Sequence, residues 1–164
     1  MMLSKIRVKG LIPEDFTIYK KPSLFIATCF CDWKCCHEAN IPESVCQNNE
    51  LARADIQEVS IDKLINYYLY NPITKAVVFG GLEPFQQCEE MLLFIDEFRK
   101  VTDDDIVIYT GYNKEEILDE VSKLSQYSNI IIKYGRFIPN HKPHFDEVLG
   151  ISLISDNQYA ERIS

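Results

Sequence analysis

The sequence predicts an α/β domain built on a mainly parallel sheet, and two observations carry that expectation. Short apolar runs rich in β-branched and aromatic residues recur at 23–27, 75–79, 105–109 and 129–133, each the length of a buried strand. Between them lie stretches whose apolar residues repeat with helical spacing, and strand–helix–strand connections make successive strands parallel. The 164 residues suffice for one domain with a sizeable core, and no repeat, linker or low-complexity stretch divides 1–164.

In order along the chain, Lys5 to Lys9 alternates charged and apolar residues, as an edge strand does. Phe16 to Lys21 connects to Pro22, and Ser23-Leu24-Phe25-Ile26-Ala27 reads as the first buried strand. The polar segment Glu43 to Glu58 is expected to include a short helix starting after Ser44. Ser60 can cap a helix with Ile61, Leu64, Ile65 and Tyr68 on one face, which Asn71-Pro72 stops. Lys75 to Phe79 is a strand ending in Gly80-Gly81. Pro84 suits the first turn of the next helix, whose apolar face runs through Cys88, Met91, Leu92, Ile95 and Phe98. Cys88 reads as a buried thiol there. Asp105 to Tyr109 ends in Thr110-Gly111-Tyr112, and Asn113 can cap a helix carrying Ile117, Val121 and Leu124. Asn129 to Lys133 ends near Gly135, and Gly150 to Ile154 can form one more strand. His141 and His144 fall in a solvated loop.

Composition narrows the partners. Asp and Glu total 25 against 17 Lys and Arg, for a net charge of −8, and no basic run occurs. That argues against a nucleic-acid backbone or an anionic membrane as the main partner. No apolar run approaches the ~20 residues of a membrane span. Met1 to Gly10 scatters Lys5, Arg7 and Lys9 among apolar residues, unlike a secretory leader. The expected compartment is the cytoplasm, where thiols stay reduced.

Against that background the cysteines are informative. Five of the six lie within the 18 residues from Cys29 to Cys46, directly after the first buried strand. In a reducing compartment such a knot reads as metal-binding rather than as a disulfide framework. The adjacent pair Cys35-Cys36 could bridge only with strain. Thiolates suit soft metals, and structural zinc usually takes two close pairs separated by a longer loop. One dense knot plus Cys46 favours an iron–sulfur cluster over zinc. In parallel sheets ligands gather at the C-terminal ends of the strands. The cysteine loop, Gly80-Gly81 and Thr110-Gly111 all fall at such ends.

Cys31-Asp32-Trp33-Lys34-Cys35 resembles the first half of the C-x3-C-x2-C loop of radical S-adenosylmethionine enzymes. Gly80-Gly81-Leu82-Glu83-Pro84 resembles the Gly-Gly-Glu-Pro motif of one branch, the activating enzymes of glycyl-radical enzymes. Ile108-Tyr109-Thr110-Gly111-Tyr112, Gly135-Arg136-Phe137 and Ser155-Asp156-Asn157-Gln158 are similar to segments of the anaerobic (class III) ribonucleotide reductase activases. The resemblance runs from Phe16 to Ile163. It implies a partial (β/α) radical-SAM barrel holding a 4Fe-4S cluster, which reductively cleaves S-adenosylmethionine to install a glycyl radical on a partner enzyme. A flavodoxin- or ferredoxin-type protein would supply the electron.

It further implies cluster ligation by Cys31 and Cys35, and cofactor contacts from Gly80, Gly81, Glu83, Thr110 and Asn157. The chain departs from the pattern in three places. The expected third ligand position holds Glu38. Cys46, followed by Gln47-Asn48, is the preferred third ligand after an insertion, Cys36 is the alternative, and Cys29 reads first as a buried neighbour. Leu82 is inserted before Glu83, and Lys133 stands where the family commonly has an aspartate. These departures motivate a second reading, a 4Fe-4S electron-transfer or sensing module of the same fold; a structural zinc protein is a third.

Overall fold

The computed structural model describes residues 4–40, 42 and 49–164. Its core is a six-stranded mixed sheet in the order β10-β7-β6-β5-β3-β2. The four central strands are β3 (Ser23–Thr28), β5 (Ala76–Gly81), β6 (Asp105–Tyr109) and β7 (Ile130–Tyr134), all parallel. Two antiparallel strands, β2 (Gly10–Asp15) and β10 (Tyr159–Arg162), close its edges.

The central strands are parallel because helices carry the chain back between them. β4 (Gln57–Ser60) and α3 (Ile61–Tyr70) precede β5, α4 (Cys88–Arg99) precedes β6, and α5 (Leu118–Leu124) precedes β7. Both faces of the strands are buried, so they read as continuous apolar runs rather than as alternation. Leu24, Ile26, Val77, Phe79, Ile106 and Ile108 face the helices. Ala76, Val78, Val107, Ile131 and Ala160 face the other way, under Tyr19, Leu149 and Leu153. On the helical side Phe79 meets Phe94 edge-on at 5.4 Å, Phe94 stacks on Phe98, and Phe98 meets Tyr68 at 5.1 Å. That ladder locks β5, α4 and α3 together.

Local signals explain several boundaries. The Ser60 side chain accepts from the Lys63 N–H at the start of α3, whose buried residues are Ile61, Leu64, Ile65 and Tyr68. Pro84 begins a 3-10 turn, Pro84–Gln87, that leads into α4. Asn113 forms a reciprocal capping box with Glu116 around a second 3-10 turn, so α5 starts later than Asn113 predicts. The helix expected after Ser44 would begin outside the described residues, and α2 covers Asn49–Arg53.

Some strands match the sequence expectation and others depart from it. β1 (Lys5–Val8) is the strand expected at Lys5 to Lys9, and it pairs with β4 in a separate two-stranded ribbon. β2 carries Pro13, which lacks a ladder donor and is tolerated because an edge strand pairs on one side only. β8 (His144–Asp146) pairs with β9 (Ile151–Leu153), so His144 lies in a strand rather than in a loop. β10 carries the charged residues Glu161 and Arg162 at two of its four positions, since an edge strand needs little apolar surface.

At the N-terminal end of β6, Asp105 is buried and accepts from Tyr19 Oη at 2.7 Å, Lys21 Nζ at 2.8 Å and Arg162 Nη2 at 3.2 Å. Burial pushes its carboxyl up, but Lys21, Tyr19 and Arg162 together outweigh burial and hold it below the usual range. Its stabilising contribution is therefore present above the ordinary value of 3.8 and is lost as pH falls through the depressed folded value. Asp105→Ala is expected to lower stability by about 2–3 kcal/mol at neutral pH, with the deficit shrinking in acid, as read by urea unfolding.

Candidate iron–sulfur site

The C-terminal ends of the four parallel strands form one rim, and most of the singled-out residues stand on it. β3 delivers Thr28 and the cysteine loop, β5 delivers Gly80-Gly81 and then Glu83, β6 delivers Thr110-Gly111, and β7 delivers Gly135-Arg136. The segment at Asn157 lies against this last turn, its Nδ2 donating to the Arg136 carbonyl at 2.9 Å.

The cysteine loop leaves β3 at Cys29, which is buried, its N–H donating to Gln87 Oε1 at 2.6 Å. Burial pushes the Cys29 thiol up, which suits the buried-neighbour reading. Cys31 is half-buried and its Sγ accepts the Trp33 N–H at 3.3 Å. Trp33 has φ 58°, and α1 (Lys34–Ala39) starts behind it. Cys36 is buried within that short helix. Cys35 is in α1 by its backbone, and Cys46 lies outside the described residues. Among the described residues no three His, Cys, Asp or Glu side chains are grouped to hold a metal ion. The donor chemistry nonetheless fits an iron–sulfur cluster, with thiols concentrated at a strand-end loop beside an N–H donor.

Glu38, at the position a third cysteine would take, is engaged elsewhere. Its carboxylate pairs with Arg136 Nε at 2.9 Å, and Arg136 Nη2 reaches Glu116 Oε2 at 2.6 Å. The buried Arg136 thereby ties α1 to the turn after β7.

Glu83 is buried and nearly saturated. Oε1 accepts from Thr110 Oγ1 and the Gly111 N–H, both at 2.8 Å, and Oε2 accepts the Phe85 N–H at 3.0 Å. Burial pushes its carboxyl up, partly offset by those three donors and by Lys133. A carboxylate offers about four acceptor positions, so one remains on Oε2. The Glu83 N–H donates to the Phe30 carbonyl at 2.7 Å, fixing the end of β5 against the cysteine loop. Lys133 is buried, its Nζ donating to the Thr110 and Gly135 carbonyls at 3.2 and 3.1 Å.

The two glycines have packing reasons of their own. A Cβ on Gly80 would stand 2.8 Å from the Phe25 ring. Gly81 has φ 81°, and a Cβ there would stand 3.2 Å from the Ala27 Cα. Asn157 is the opposite case, because its buried Oδ1 has no hydrogen-bond partner among the described residues. Such an acceptor at a rim fits a ligand that brings a donor.

Pattern reading missed Gln87, which accepts from Cys29 and donates to the Arg7 carbonyl and Glu90 at 3.0 Å each. It also missed the link among Asp32, Tyr112 and Gln86, in which Tyr112 Oη donates to Asp32 Oδ2 at 2.6 Å and accepts from Gln86 Nε2 at 2.6 Å. Partners 26 to 80 positions apart leave no periodic trace. A polar Gln87 directly before the apolar face of α4 was the one available hint. Cys88 is half-buried on α4 with its thiol pushed up by burial to about 11, an inert side chain.

No described helix is long and apolar enough to cross a membrane. Comparison with curated proteins and with solved structures returns no match. The family model described as a 4Fe-4S single cluster domain matches residues 20–157, which takes in the cysteine loop, all four parallel strands and Asn157. The chain therefore belongs to the 4Fe-4S single cluster domain family, and its thiol-rich rim is that of an iron–sulfur protein.

Proposed function

We propose that this 4Fe-4S protein is a radical S-adenosylmethionine activase, a partial (β/α) barrel that generates a glycyl radical on a partner enzyme of the anaerobic ribonucleotide reductase type. Cys31, Cys35 and Cys46 would ligate the cluster. Gly80, Gly81, Glu83, Thr110 and Asn157 would surround the substrate, and a flavodoxin- or ferredoxin-type donor in the cytoplasm would reduce the cluster.

The observation that carries this reading is the convergence of the Glu83–Thr110–Gly111 network and an Asn157 Oδ1 without a partner among the described residues on the rim that bears the cysteine loop. S-adenosylmethionine brings an ammonium group and ribose hydroxyls, the donors that an open acceptor position on Glu83 and a bare amide oxygen can take. When bound beside a reduced cluster it supplies a cleavable carbon–sulfur bond and thus a one-electron route to a carbon radical. The chain's own part is to hold those groups and to bury them from water.

The test is anaerobic reconstitution, reduction and assay of 5′-deoxyadenosine, with cleavage expected to require both cluster and reductant. An intact cluster without cleavage would sink the activase. A second reading, a 4Fe-4S electron-transfer or sensing module, is favoured by the three internal donors that already occupy Glu83. It expects cluster absorbance that S-adenosylmethionine leaves unchanged.

A further inference from the structure

We propose that Tyr112 and Asp32 are positioning residues that latch the cysteine loop and tune the cluster's reduction potential. The proposal rests on Cys31 being a cluster ligand, and not on cleavage of any substrate.

The loop needs such a latch. Trp33 stands in the left-handed region at φ 58°, a conformation that a bulky residue adopts at a cost and keeps only where its surroundings fix it. Among the described residues no side chain caps the N-terminus of α1 behind it. Within the segment the Trp33 N–H donates to Cys31 Sγ at 3.3 Å, and a bond from a neighbouring strand end adds a hold from outside.

Tyr112 supplies the hold. It comes from the turn after β6, and its hydroxyl donates to Asp32 Oδ2 at 2.6 Å. Gln86, from the 3-10 turn after β5, donates to the same hydroxyl at 2.6 Å. One oxygen thus joins the ends of three neighbouring parallel strands. Chained bonds of this kind polarise one another, and a phenol bonded to a carboxylate makes a short, charge-assisted contact.

The electrostatic consequence follows from position. Asp32 directly follows Cys31, so its carboxylate sits one residue from a ligand sulfur. Cluster potentials respond to nearby charge, to hydrogen bonds and to exposure. A negative charge there disfavours adding an electron, and the Tyr112 hydroxyl draws part of that charge away from the cluster. Removing the charge raises the potential; removing the hydroxyl lowers it. A purely structural latch would move neither in opposite senses.

The test uses Asp32→Asn and Tyr112→Phe in two measurements. In apo protein, hydrogen exchange of the amides from Asp32 to Asn40 is expected to quicken about tenfold in Tyr112→Phe. In reconstituted protein at low ionic strength, Asp32→Asn is expected to shift the midpoint upward by up to tenfold in the reduced-to-oxidised ratio, about 59 mV. Tyr112→Phe is expected to shift it downward by less, and both shifts shrink in high salt. Unchanged exchange in Tyr112→Phe, or potentials that stay put or move together, would overturn the proposal. Failure of the wild-type chain to take up iron would strike the ligand reading, and the exchange measurement would still decide the latch.

Discussion

Cys31→Ser is expected to strip the anaerobically reconstituted protein of its cluster absorbance and nearly all of its bound iron. Serine offers a hard, poorly ionised oxygen where a soft thiolate is needed, and a cluster short of one ligand is lost rather than loosened. The fold should survive, because Cys31 is half-buried in a loop and, among the described residues, is not a member of either apolar cluster. Circular dichroism of the apo variant checks that point. The comparison of Cys46→Ala with Cys36→Ala then identifies the third ligand. Positions 35 and 36 are neighbours in α1, and adjacent helical positions do not share a face. Cys36 is buried within α1, and two adjacent thiolates on one cluster make the tighter geometry. Iron is therefore expected to be lost in Cys46→Ala and kept in Cys36→Ala. Full iron retention in Cys31→Ser would remove that residue from the ligand set.

The parts of this chain that pattern reading finds are those fixed by local chemistry. The strand at Ser23–Thr28 is buried on both faces, so its apolar run is unbroken; Ser60 announces α3 because a cap acts within one turn. The cysteine loop is legible for the same reason, since five thiols in 18 residues need no partner elsewhere to be noticed. What stays hidden depends on the assembled sheet. β2 and β10 are edge strands, whose sequences need little apolar surface and, in β2, tolerate Pro13. Gln87, Tyr112 and Arg136 act on the loop across 58, 80 and 98 positions, through contacts that exist only after β3, β5, β6 and β7 have aligned. Glu83 is intermediate. Its place after Gly80-Gly81 singles it out, but the three donors that fill it come from its own turn and from the end of β6.

Glu83→Ala is expected to cost about 3–5 kcal/mol in urea unfolding of the apo protein, the largest loss from any single rim side chain. It would leave the Phe85 and Gly111 N–H groups and the Thr110 hydroxyl without their acceptor, together with the buried charge of Lys133 nearby. Glu83→Gln keeps the volume and one acceptor oxygen, so about 1–2 kcal/mol is expected at pH 5. The pH dependence carries the sharper information. Burial raises the Glu83 carboxyl above its ordinary value of 4.5. A group raised on folding contributes stability that is complete below the unfolded value and is lost as pH rises through the folded one. Glutamine does not titrate, so the gap between wild type and Glu83→Gln should narrow from pH 5 upward. A gap that instead widens with pH would mean that the internal donors and Lys133 outweigh burial. The folded carboxyl would then titrate below its ordinary value rather than above it.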